Sequence, residues 1–161
     1  MSYEPLSPSV AAQHMLERCW DRRLPVDPFV IAERNGLRVE RLSASSPYSG
    51  WYDAAGMSIY YKGDEAAVRQ RFTVAHELGH YALGHGDSPR DTAVHFSARA
   101  LDYRERLANQ FAAELLMPEE AVQQIVASGR YGSLDELARL FHVSKVAMSY
   151  RISNLGVRFF A

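Results

Sequence analysis

Apolar positions recur at helical spacing near the start of the chain. Val10, Ala11, Met15, Cys19 and Trp20 predict a helix from Ser9 to Arg23, ended by Leu24-Pro25. Asp27 followed by Pro28 has the form of an N-cap with proline at the first helical position, and predicts a short helix reaching Asn35-Gly36. The period then falls to two. Leu37 and Val39 alternate with Arg38 and Glu40, the pattern of a half-buried strand from Leu37 to Leu42. Tyr48 to Asp53 and Met57 to Lys62 flank Ala54-Ala55-Gly56 and predict a hairpin. From about Asp64 the helical period returns and holds to Ser153. Helices are expected from Glu65 to a stop at Gly84, from Ala98 to Met117, and from Pro118 to Ala127. Two more follow, from Leu134 to Phe141 behind Ser133 and from Lys145 to Asn154 behind Ser144. His85 to Ser97 is polar and irregular, and Val157 to Phe160 is a last strand or a packing anchor. Strands first and helices afterwards indicate an α+β fold with a small antiparallel sheet. The break at Ser128-Gly129 suggests a core over residues 1–130 and a C-terminal segment, 131–161, packed on it.

Composition narrows the class. The chain has 161 residues, 47% of them apolar, and a formal net charge of −1, which excludes a polyanion binder held by bulk charge. Cys19 stands alone, so no internal disulfide is available. Neither a signal peptide nor an apolar run of spanning length is present, which predicts a cytoplasmic protein with no membrane partner.

His76-Glu77-Leu78-Gly79-His80 is the strongest chemical signal. Residues four apart leave a helix on one face, so both imidazoles can share a single tetrahedral zinc. Glu77 lies about 100° round the helix, placed to take a proton from water activated by the metal. The competing reading is a pair of core histidines. It would leave a buried glutamate needing a partner, which a metal site supplies.

A catalytic zinc needs a third protein ligand. The longer pattern HExxHxxGxxH fails, because Leu83 and Gly86 occupy its glycine and histidine positions. His85 follows the helix stop and is expected by the helix end; His95 is a minor candidate. The second long helix offers Glu105, which shares a face with Ala108, Asn109 and Ala112. Glu114 is about 180° away, so the two carboxylates cannot serve one ion. Glu105 is therefore the expected third ligand, with Asn109 hydrogen-bonding a ligating imidazole. The alternative is that Glu105 is a solvated helix charge. Manganese would also suit such a site, since affinity alone does not select zinc.

Residues Arg69 to Tyr81 and the run Glu105-xx-Ala108-Asn109-x-Phe111-Ala112-Ala113-Glu114-Leu115-Leu116-Met117-Pro118 resemble the ImmA/IrrE family of zinc endopeptidases. Leu24 to Pro28 and Leu137 to Ser144 are also similar to the family's pattern. The resemblance implies a thermolysin-like, gluzincin-type core in which His76, His80 and Glu105 hold zinc and Glu77 is the general base. It also implies cleavage of a bacterial or phage helix-turn-helix repressor, relieving repression. The scissile segment of such substrates adds to an edge strand, here expected to be Met57 to Lys62. Tyr48, Tyr52, Tyr60, Tyr61 and Tyr103 are open candidates for stabilising the oxyanion.

The segment from Asp135 to Ile152 has helix-turn-helix spacing, with Ala138, Val143, Met148 and Ile152 as its core positions. His142 stands where the turn usually has glycine. The rival function is a DNA- or partner-binding regulator with a structural metal. Few basic residues on the second helix argue against direct DNA binding, since phosphate contacts dominate that affinity. A partner-binding role for the pair fits the composition better.

Overall fold

In the computed structural model, residues 6–86 and 98–159 are described, with side chains in the second stretch from Tyr103 onward. Helix α1 (Pro8–Cys19) opens behind Ser7, whose hydroxyl accepts from the Val10 amide. It stops four residues before the expected end, where Trp20 turns extended and Arg22 takes a positive φ of 67°. Helix α2 (Pro28–Arg34) starts as the sequence predicts, with the Asp27 carboxylate accepting from Phe29 and Val30. Strands β1 (Arg38–Leu42), β2 (Gly50–Asp53) and β3 (Ser58–Lys62) follow.

The sheet corrects one expectation. Its order is β1-β3-β2, with β2 antiparallel to β3 but β1 parallel to β3, so the sheet is mixed rather than antiparallel. The expected hairpin is present. However, its second arm is the central strand, and Met57 to Lys62 therefore offers no edge; β2 does.

Helices α3 (Ala67–Ala82), α4 (Ala98–Leu116), α5 (Glu119–Ala127), α6 (Leu134–Phe141) and α7 (Lys145–Leu155) complete the α+β fold. Helix α3 begins two residues later than expected, at a point without a side-chain cap. Ser133 and Ser144 cap α6 and α7 through the Glu136 and Ala147 amides. His142 takes the left-handed conformation at the turn between them, φ 53° and ψ 50°, so the turn forms without glycine. No strand follows α7 among the described residues, and Phe159 packs against the core.

One continuous core joins Met15 of α1, Ile31 of α2, Ile59 of β3 and Leu78 of α3 to Phe111, Leu115, Leu137, Phe141 and Met148 of the later helices. Helix α3 lies at its centre, against both β2 and β3 on one side and α4 on the other. Where α3 and α4 cross, a Cβ on Gly79 would lie 3.2 Å from the Ala108 Cα and 3.1 Å from the Phe111 ring. The backbones touch there because neither residue carries bulk, as the small residues of the second helix suggested. No helix among the described residues is long and apolar enough to cross a membrane.

Candidate metal centre

Of the seven buried polar or charged side chains among the described residues, five are on α3: Arg71, Thr73, His76, Glu77 and His80. Burying that much polarity in one helix is costly unless each group is matched, so their partners identify the site. Arg71 is matched by backbone: its guanidinium donates to the carbonyls of Val26, at 2.5 Å, and His142, at 3.1 Å. It thereby ties the start of α3 to the loop before α2 and to the turn before α7.

The histidines are matched by each other and by α4. His76 Nε2 lies 3.2 Å from His80 Nε2, and the two lie 2.8 and 3.1 Å from the carboxylate oxygens of Glu105. A tetrahedral ion with bonds of about 2.0–2.1 Å places its donors about 3.3 Å apart, so this triangle has the size of a ligand face. Burial works to raise the Glu105 carboxyl, but its hydrogen bonds to His76 and His80 outweigh that and hold it well below the usual carboxylate range. It is therefore an anion facing two imidazole nitrogens, the donor set a borderline cation binds.

The far sides of both rings fix which nitrogen faces inward. His76 Nδ1 donates to Asn109 Oδ1 at 2.8 Å, leaving the Nε2 lone pair toward the triangle. His80 Nδ1 lies 2.9 Å from His85 Nδ1. Burial first, then the His80 and Arg104 charges, push His85 down to about 4, so near neutral pH its ring is uncharged and accepts the His80 proton. Spacing rules had placed His85 only at the helix end. Its position comes from the cap: Gly84, at φ 67°, turns the chain so that the His85 amide donates back to the His80 carbonyl. This Schellman arrangement stacks the residue after the glycine on the third from last of the helix, and the sequence signal was Gly84 itself.

Glu77 is buried within α3. Its carboxylate lies against Gly50 of β2, where a Cβ would stand 3.2 Å from Oε1 and only 2.3 Å from the Thr73 methyl. Glycine at position 50 thus lets the edge strand approach the helix carrying the histidines. Glu114, on the far side of α4, is buried too and pairs with Arg151 of α7, which also donates to the Met117 carbonyl at 2.9 Å. The phase argument separating it from Glu105 holds, but sequence reasoning did not anticipate Arg151 as its partner. His95 lies outside the described residues.

Residues 32–153 match the peptidase M78 family model, described as the IrrE N-terminal-like domain. The chain belongs to this family. It is 30% identical over 93 residues to the metallopeptidase ImmA of Bacillus subtilis, covering 58% of this chain and 54% of that one. It is also 34% identical over 110 residues to the radiation response metalloprotease IrrE of Deinococcus deserti, covering 65% and 38%. The chain thus spans about half or less of the length of these curated relatives. A solved structure of a Mycobacterium tuberculosis transcriptional regulator superposes with a TM-score of 0.69 at 20% identity, over 91% of this chain and 46% of that one, a likeness of fold. The matched stretch includes all of α3 and, with it, the polar cluster.

Proposed function

We propose that the chain is a zinc-dependent endopeptidase with a thermolysin-like core over residues 1–130, whose substrate is a bacterial or phage helix-turn-helix repressor. The observation that carries the reading is the convergence of His76, His80 and Glu105 at ion-ligand spacing beside the buried Glu77. Membership of the M78 family and likeness to two metallopeptidases support it.

His76, His80 and Glu105 would hold the ion, with Asn109 and His85 fixing the two rings. When bound, a zinc ion polarises the scissile carbonyl and makes water a better acid. Glu77 would take a proton from the attacking water as the C–O bond forms, and then deliver it to the amide nitrogen, so that the C–N bond breaks and the amine leaves. The substrate strand pairs with the free edge of β2, where Gly50 brings the backbone up to the Glu77 carboxylate.

The regulator alternative is disfavoured by the second helix of the pair. Its two basic residues are both engaged, Lys145 with Asp135 at 3.5 Å and Arg151 with Glu114, leaving little for phosphate.

The test begins with metal content. Protein purified without chelator is expected to carry about one zinc per chain, the stoichiometry of a single three-ligand site. Glu77→Gln should keep that zinc and abolish cleavage of a helix-turn-helix repressor. A protein that takes up no metal would end the peptidase reading, and zinc loss in the glutamine variant would reassign Glu77.

A further inference from the structure

The sheet has a second edge, at the end opposite β2. Strand β1 pairs on one side only, with β3. The Arg38 amide donates to the Met57 carbonyl at 2.9 Å, and along a parallel ladder alternate residues turn the same way. Arg38, Glu40 and Leu42 therefore direct their backbone groups to β3. Those of Val39 and Arg41 point outward, where no hydrogen-bond partner meets them among the described residues. Such a row of unpaired groups is a template for another strand unless its side chains prevent pairing. On the solvent face, Arg38 and Glu40 are 68% and 48% exposed and lie 4.0 Å apart. Arg41 is drawn back over β3, where its guanidinium donates to the Gly63 carbonyl at 2.8 Å.

The order of charges selects the occupant. A closed pair of identical edge strands has a two-fold axis, so it is antiparallel, and its centre falls on one residue because opposed side chains must share a face. Centred on Val39, the two copies of that residue exchange both backbone bonds, and Arg38 of each strand stands opposite Glu40 of the other. Centred on Glu40, the pair opposes two carboxylates; centred on Arg38 or Arg41, two guanidiniums. Charges on an edge commonly forbid pairing altogether, but these leave one register open, and it is self-complementary. We propose that β1 pairs with β1 of a second copy of this chain in the Val39-centred register, joining two three-stranded sheets into one. The strand order is then β2-β3-β1-β1-β3-β2. Both β2 edges, each beside its own metal centre, stay open at opposite ends of the joined sheet. The inference stands apart from the peptidase reading.

Sedimentation velocity of the full chain, at low salt and over a range of concentrations, reads the pairing. A monomer–dimer equilibrium is expected, and salt should weaken it because the charges are exposed. Arg38→Glu and Glu40→Arg each set like charges opposite one another and should raise the dimer dissociation constant about tenfold. A chain carrying both changes restores opposite charges in the same register and should return to within about threefold of the wild type. Hydrogen exchange locates the contact. The Val39 and Arg41 amides are expected to exchange slowly in the dimer and quickly in the Arg38→Glu variant, whereas the amides at positions 38 and 40 stay protected by β3 in both. Monomer alone up to millimolar concentration would overturn the proposal. So would a dimer unmoved by either single change, or a doubly changed chain that associates no more tightly than the single variants. Val39 and Arg41 amides that exchange alike in monomer and dimer would place the contact elsewhere and overturn it too. Neither readout involves cleavage, so failure of the peptidase reading leaves this result intact.

Discussion

A histidine holds the left-handed position at the turn between α6 and α7, and the backbone there is strained for any residue with a Cβ. His142→Gly should therefore raise stability by about 1 kcal/mol, the relief of strain being partly offset by glycine's greater freedom when unfolded. The urea midpoint measures it. The contact to Arg71 survives, because it uses the backbone carbonyl. Two other residues separate folding from metal binding. Glu114→Gln leaves the Arg151 charge buried without its partner and should cost about 3–5 kcal/mol, with zinc stoichiometry unchanged. His85→Ala should do the reverse: near-normal unfolding, but zinc affinity lower by about 10–100-fold, since His80 loses the group that fixes its ring. Competition with a chelator gives the affinity, and denaturant titration gives the stability.

At the scale of elements, the metal centre depends on how closely two helices approach. Gly79→Val would drive a side chain into Ala108 and Phe111, lifting α4 and Glu105 away from the histidines. Zinc affinity should fall by more than tenfold even though every ligand is intact, and calorimetric zinc titration checks it. Most of this was legible in the chain. Asp27, Ser133 and Ser144 announced helix starts because capping is local, and the phase of Glu105 against Glu114 needed only the helical repeat. Which strand lies beside which was not legible: the parallel pairing of β1 with β3 joins residues about twenty positions apart, and alternation reports a strand's faces but not its neighbours. The same limit hid Arg151, thirty-seven residues from Glu114. His85 was missed for a different reason, since ligand-spacing templates look along the helix and not around its terminal turn.

At the scale of the molecule, the proposed boundary near residue 130 does not divide the core. Leu137, Phe141 and Met148 of the helix pair are buried with Leu78, Phe111 and Leu115 around the metal helix. A single cooperative transition is expected on denaturation, with the fluorescence of Trp20 and Trp51 and the far-ultraviolet helix signal changing together. Two separated midpoints would show that the pair folds independently. The shared core also means that a partner bound on α7 acts on a surface continuous with the helix that carries the histidines.

The contact between Gly79 and Ala108 has a consequence for ionic size. It fixes the separation of the helices that supply the donors, and the donor triangle they frame, with edges of 2.8 to 3.2 Å, suits bonds near 2.0 Å. Calcium, at about 2.3–2.6 Å and with a demand for six or more oxygens, would meet two imidazole nitrogens and one carboxylate instead. Two residues with almost no side chain therefore act as a spacer for the donor triangle, while the choice between soft and hard cations belongs to the donors it spaces.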